Sequence, residues 1–211
     1  MYLPAHFQET RGEVLAAMMR AHPFATLVTV AADGLTANHL PLEYDPRPAP
    51  FGTLRGHVAR ANPVWRETSD GSTALAIFQG PHAYISPNWY PSKLEEGKAV
   101  PTWNYAVVQA HGTLKFFEDR QQLRALVEQL TGRHEAARPD PWQVSDAPED
   151  YLEQMLKAIV GVEMPVTRLV GKWKISQNRA AADRAGVIDG LKSESGPYAN
   201  DMANLIKETL Q

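Results

Sequence analysis

The chain has 211 residues and a formal net charge of −3, with 44% hydrophobic and 21% charged residues. That composition excludes a disordered chain and allows one large domain, while the net negative charge supplies no long-range attraction for nucleic acid. There is no cysteine, which excludes a disulfide framework, a thiolate metal site and a cysteine nucleophile.

Thr10 and Glu13 stand at capping-box spacing, and Val14, Leu15, Met18 and Met19 fall on one face of the helix they open. That helix is expected to end near His22, because the residue before Pro23 avoids helical geometry. Residues 25–30 read as an apolar strand, Asp33-Gly34 signals a hairpin turn, and residues 35–44 return as a second strand. Pro46, Pro48 and Pro50 mark a loop, residues 53–58 a third strand, and Asn62-Pro63 the cap and first turn of a short helix. Residues 73–78 read as a fourth strand buried on both faces.

The stretch from Phe78 to Tyr90 and the segment from Val100 to Tyr105 read as an aromatic loop around a flexible link at 93–98. They set Tyr84, Trp89, Tyr90, Trp103 and Tyr105 between prolines. Such aromatic area suits a surface that grips a planar ring or a second copy of the chain. Residues 105–116 alternate as a fifth strand, and helices are expected at 119–130 and 148–158, on either side of Pro139-Asp140-Pro141. Residues 159–175 form the last long strand, with Gly161, Pro165 and Gly171 as bends or bulges. The chain turns helical again from Arg179, and residues 193–197 separate a final amphipathic helix carrying Met202, Leu205, Ile206 and Leu210. Strands joined by hairpins rather than crossover helices predict a mainly β, α+β fold: an antiparallel barrel with peripheral helices.

The chemistry is dispersed. Neither a Walker loop nor a G-x-G-x-x-G run is present, so neither triphosphate nor Rossmann dinucleotide binding is supported. In the run His57-Val58-Ala59-Arg60, a cation follows a strand and precedes a helix start, an arrangement open either to a phosphate monoester or to simple surface neutralisation. Asn38-His39 places two polar side chains inside an apolar strand, where they either satisfy each other or face a ring edge. The seven histidines stand in no metal-ligand spacing, so no metal site is expected. Lys172-Trp173-Lys174 and the following Ser176, Gln177, Asn178 and Arg179 form a basic, polar segment. It reads as an exposed strand end with Ser176 as a helix cap, or as a wall over an anion.

Taken together, the run from Met1 to Phe7, His22-Pro23-Phe24-Ala25-Thr26, Asn38-His39-Leu40-Pro41, the run from Gly56 to Pro63, the run from Phe78 to Pro87, Val100 to Tyr105 and Gly171 to Arg179 resemble the PaiB family. These are bacterial FMN-binding proteins of the negative-transcriptional-regulator type. The resemblance implies an FMN-binding split β-barrel over residues 1–192, followed by a helical extension at 193–211, and a homodimer with flavin at its interface. It implies that His57, Val58, Ala59 and Arg60 approach the flavin phosphate and ribityl chain, and that Asn38 and His39 lie near the ring or ribityl hydroxyls. Trp103 and Asn104 would come from the aromatic loop across the dimer, and Lys172, Lys174 and Gln177 would close the site.

A regulator or sensor is the leading expectation. A flavin-dependent oxidoreductase is the alternative, and a haem-binding split-barrel protein a third. No general base is identified, and DNA enters by the resemblance alone, since no helix-turn-helix pattern is present. The N-terminus lacks the regions of a signal peptide and no apolar run is long enough to span a bilayer, so a cytoplasmic location is expected.

Overall fold

The structure is a computed structural model that describes residues 1–93 and 97–210. Residues 94–96, inside the link expected to be flexible, lie outside the described residues. In chain order the elements are β1 (Gln8–Glu9), α1 (Gly12–Ala21), β2 (Phe24–Ala31), β3 (Gly34–Pro41), β4 (Glu43–Asp45) and β5 (Thr53–Ala59). Then follow α2 (Val64–Glu67), β6 (Thr73–Ile85), β7 (Thr102–Thr113), β8 (Lys115–Phe117), α3 (Arg120–Glu135), α4 (Glu149–Lys157), β9 (Ile159–Lys174), α5 (Ala181–Ser193) and α6 (Ala199–Glu208). The strands form a large antiparallel sheet in the order β3-β2-β6-β7-β9-β5-β4, with β1 and β8 also paired to β9. This is the expected split barrel with peripheral helices.

Two compact units share the chain. The hairpin unit comprises Met19–Phe78 and Gln109–Leu169; the terminal unit comprises Met1–Met18, Gln79–Val108 and Val170–Gln211.

In the hairpin unit β2 and β3 pair without interruption from Phe24↔Pro41 to Ala31↔Gly34, with Gly34 at φ +127° where the turn signal predicts it. The expected strand at 35–44 is divided at Leu42, and the remainder, β4, pairs with β5 instead. Thus β3 and β4, at the two ends of the strand order, are successive pieces of one stretch of chain. β5 pairs with β9 from Thr53↔Pro165 to Ala59↔Ile159, burying Leu54, Val58, Val160, Val162 and Met164. The first part of β6 alternates buried and half-buried residues, so it is covered fully on one face rather than two.

Asp119 caps α3, accepting from the Gln122 N–H at 2.9 Å, and the helix runs beyond Leu130 to Glu135. Its extra turn has a tertiary cause: Arg133 donates to the buried Glu43 carboxylate and to the Arg20 carbonyl, both at 2.5 Å. Leu123 of α3 packs with Val144 and with Leu152 and Leu156 of α4, against Phe117.

In the terminal unit α1 begins at Gly12, not at Thr10, and the Glu9 carboxylate accepts the Arg11 N–H at 2.8 Å. The aromatic stretch is not a loop: β6 continues through Gly80 and Pro81 to Ile85, and Pro87–Trp89 follows as one 3-10 turn whose Ser86 cap accepts from Asn88. Trp89 then lies on α5 where that helix carries glycines. A Cβ at Gly186 would come within 2.1 Å of the Trp89 carbonyl oxygen, and one at Gly190 within 2.3 Å of its ring. Residues 193–211, expected as an extension, carry α6, which packs on α5 and buries Met202, Ala203 and Ile206. Among the described residues no helix is long and apolar enough to cross a membrane.

Gly161 of β9 sits directly beneath Phe117, whose ring a Cβ would meet at 2.2 Å. Gly161→Ala is expected to cost about 1–3 kcal/mol by overpacking, read as a thermal midpoint lowered by roughly 2–10 °C. Adding Phe117→Leu should recover part of that loss; a double variant as unstable as the sum of both single changes would contradict the packing account.

Candidate functional site

The expected site residues fall into two groups, one in each compact unit. In the hairpin unit, β3 carries Asn38 and His39, and β5 ends in His57, Val58 and Ala59. Alternation of the two strands decides what each can do. Val58 is buried in the core and Ala59 is exposed. His39 is also exposed, its ring 6.4 Å from that of Phe24. Asn38 accepts a hydrogen bond from Asn62 Nδ2 at 2.6 Å, while the Asn62 Oδ1 accepts from the Val64 N–H at 3.0 Å and so opens α2 as the sequence predicts. Asn62 therefore has a second duty, tying β3 to the segment after β5, that its helix-cap pattern did not reveal.

Two polar atoms of this group are buried without a hydrogen-bond partner: Asn38 Nδ2 and His57 Nδ1. Burial alone lowers the His57 pKa, so the ring is held neutral. A buried donor or acceptor left unmatched costs roughly 1–3 kcal/mol, so each is a reason for the fold to receive a polar ligand here.

Arg60 behaves differently. Its Nε donates to the Lys157 carbonyl at 2.6 Å, one terminal nitrogen to the Ile159 carbonyl at 3.1 Å and the other to the Glu118 carboxylate. Its guanidinium also lies 5.7 Å from the centroid of the Trp65 ring. Two nitrogens thus hold the end of β5 to the α4–β9 junction, and the third ties it to the segment after β8. A phosphate at Arg60, the sequence expectation, would have to compete with these acceptors.

In the terminal unit the remaining residues converge around the end of β9. Lys172 is only 6% exposed; its Nζ donates to the Tyr2 carbonyl at 3.0 Å and lies 5.2 Å from the Tyr105 ring centroid. Gln177 spends both ends of its amide on backbone: Oε1 accepts from the Ile175 N–H at 2.9 Å and Nε2 donates to the Trp173 carbonyl at 2.5 Å. Gln177 therefore braces the turn, while Lys172 ties the strand end to the N-terminal segment and the Tyr105 ring. That turn places Ser176 at φ +64°, a left-handed conformation unusual outside glycine, and α5 begins only at Ala181. Ser176 is thus not the helix cap that its position implied.

Asn104, 1% exposed, donates to Ser176 Oγ at 2.9 Å. Lys174 Nζ donates to Thr102 Oγ1 and to the Trp103 carbonyl at 2.5 Å, and its pKa is lowered by burial first, then by the nearby charges of Lys172 and Arg179. Arg179 stacks 5.0 Å from the centroid of the buried Tyr90 ring. Burial raises the Tyr90 pKa, opposed by the Arg179 charge and hydrogen bonding from Ser176. Tyr90, Ser176 and Arg179 were absent from the expected site; the dense polar segment flagged two of them, but the backbone turn that unites them has no sequence signal. Trp103, by contrast, is 54% exposed, with its ring 6.3 Å from His82 and 6.2 Å from Tyr84.

The comparisons with known proteins agree with this architecture. Residues 1–168 match the family described as "Putative FMN-binding domain". The chain is 35% identical over 214 residues to the protease synthase and sporulation protein PAI 2 of Bacillus subtilis, covering 100% of this chain and 99% of that one. It is 34% identical over 253 residues to an uncharacterized protein of Aspergillus fumigatus, covering 99% and 97% of the two chains. Among solved structures, an FAD- and haem-binding protein of Mycobacterium smegmatis superposes with a TM-score of 0.58 at 16% identity, over 79% of this chain and 73% of that one, a likeness of fold. The orphaned Asn38 and His57 atoms fit a polar flavin edge. The chain belongs to the PaiB family of FMN-binding split-barrel proteins, and FMN is its cofactor.

Proposed function

We propose that the chain is a flavin-dependent sensor of the PaiB type, a cytoplasmic homodimer whose regulatory output follows the state of FMN bound at the subunit interface. The observation that carries this reading is the pair of buried, unpartnered polar atoms, Asn38 Nδ2 on β3 and His57 Nδ1 on β5, both in the hairpin unit. Each is a ready hydrogen-bonding partner for a ring edge or a ribityl hydroxyl, with His57 held neutral. When bound, the flavin supplies the electron or hydride chemistry. The protein's share is to orient the ring through Asn38 and His57 and to keep Asn38 in place through Asn62.

The dimer is supported by apolar side chains turned to solvent. Phe24 and Val30 of β2 and Leu35 of β3 are 67%, 61% and 77% exposed. The register puts all three on one face of the hairpin. A second copy would cover that area and offer Trp103, with Asn104 behind it, to the flavin ring. DNA recognition enters from the family alone, and a gel-shift titration against salt tests it.

A second reading, a flavin-dependent oxidoreductase, is favoured by Tyr90, a buried phenol 5.0 Å from the Arg179 guanidinium whose pKa burial raises, so that it keeps a proton to donate. Consumption of NAD(P)H by the FMN-loaded protein separates it from the sensor.

Loading with FMN followed by gel filtration should leave about one flavin per chain, seen in the visible spectrum; no retained flavin would sink the proposed function. Asn38→Ala and His57→Ala should each weaken FMN binding by about five- to tenfold, the size of one lost hydrogen bond. Arg60→Ala should lower the melting temperature while the folded protein keeps its FMN affinity; a selective loss of flavin would return Arg60 to the phosphate.

Stability should depend on pH through the histidines. The pKa of His57 is depressed by burial, and that of His111 by burial and by Arg168. Each is therefore protonated more readily in the unfolded chain. Stability is complete well above the ordinary imidazole pKa and is lost as pH falls through it toward the depressed folded values. His57→Asn should give a shallower slope of urea midpoint against pH; an unchanged slope would show that His57 does not contribute.

A further inference from the structure

Beside the end of β9 the terminal unit forms an open pocket of about 140 Å³, room for roughly five waters at about 30 Å³ each and too little for a nucleotide. Its polar side is formed by Asn104, Lys174, Ser176 and Arg179. Among the described residues, neither Lys174 nor Arg179 is ion-paired, and no carboxylate lines the cavity. Asp183, the carboxylate sensed by Tyr90, is engaged instead by the Ser92 N–H at 3.1 Å and the Ser92 hydroxyl at 2.8 Å. Half-buried cations without a counter-ion are costly to maintain, and a bound anion removes that cost.

The donors are left suitably free. An ammonium has three N–H groups; two of those on Lys174 are used within the protein, leaving one for a ligand. The Arg179 guanidinium lies 5.0 Å from the Tyr90 ring centroid, with no carboxylate partner among the described residues, and a planar fork matches a carboxylate in bidentate fashion. The left-handed Ser176 brings its hydroxyl to this wall at a backbone cost, the kind of strain that collects at functional sites. The opposite side is apolar, formed by Phe7, Val100 and Pro101. Inorganic phosphate has no apolar part to place there, whereas an acid of a few carbons does.

We propose that this cavity binds a small organic carboxylate, its oxygens on Arg179 and Lys174 and its short carbon chain against Phe7, Val100 and Pro101. The pocket stands independently of the flavin; its ligand's role as the effector of the sensor rests on the function proposed above.

The test is calorimetric titration of the full-length, FMN-loaded protein with acetate, propionate and pyruvate, and with inorganic phosphate, at constant ionic strength. Saturable binding of propionate or pyruvate, tighter than that of phosphate, is expected. Arg179→Gln and Lys174→Met should each weaken it by about 10- to 100-fold, the loss of one charge-assisted contact. Val100→Glu sets a negative charge on the rim at a position 68% exposed. It is expected to abolish binding without disturbing the fold, which covers the case in which a cation variant fails to fold. No saturable carboxylate binding, phosphate binding as tight as any carboxylate, or affinity unchanged in both Arg179→Gln and Val100→Glu would overturn the proposal. The flavin spectrum of the same samples keeps the questions apart: carboxylate binding without retained flavin refutes the cofactor reading and leaves the pocket standing, and the reverse refutes the pocket alone.

Discussion

The ladder along β9 is the constraint on which the rest of the structure depends. For seven consecutive residues it pairs with β5, further along it takes β1, and over residues 161–163 it also receives β8. A strand so fully engaged has little freedom of register, because a slip of one residue would turn every buried side chain outward. Two glycines make the engagement feasible. Gly161 admits the Phe117 ring in the hairpin unit, and Gly171 admits Leu15 and the Glu9 backbone in the terminal unit. What the sequence presents as bends are places of close approach. The ladder also fixes chemistry: His57 is placed opposite Gly161, and Lys172 and Lys174 are carried at the strand's far end.

The cations divide by whether the fold has already used them. Arg60, Arg133 and Lys172 are committed to carbonyls or carboxylates within their own unit. They act as clamps between segments far apart in the chain, and removing one would leave acceptors without donors. Lys174 and Arg179 are held in place by neutral groups, an oxygen pair in one case and a phenol ring in the other. Position without neutralisation is what distinguishes a binding cation from a structural one. A count of charges cannot make that distinction, since all five residues carry the same sign and three lie within the same short segment.

Much of the fold was legible because its signals are local. The turn at Asp33-Gly34, the Asn62-Pro63 helix start and the break before Pro23 depend on neighbours within a few residues, and the structure places them accordingly. The missed features depend on distant partners. Prolines and aromatics between Phe78 and Tyr90 resemble a loop, yet Gly80 is closely covered by the Met18 side chain and the strand runs on. α3 outlasts its apolar pattern because Arg133 reaches Glu43, 90 positions away. The structural partners of Arg60, 58 to 99 positions distant, are likewise invisible to its local run. In the candidate site, Asn38 is visible in sequence as a polar residue interrupting an apolar strand, whereas His57 enters through the family resemblance of its run. Tyr90 escaped notice because its role depends on a reversal of backbone hand at Ser176.

That reversal has a consequence for how this position can vary. Holding a serine in the left-handed region costs about 1–2 kcal/mol, which glycine would not incur. Glycine would relieve the backbone and remove the hydroxyl that joins Asn104 to Tyr90. Thermal robustness and the polar wall therefore make opposing demands on one residue, and a library screened for heat resistance alone would drift toward glycine there. Improved folding would come with a quieter pocket, an outcome visible only to a screen that also scored ligand occupancy.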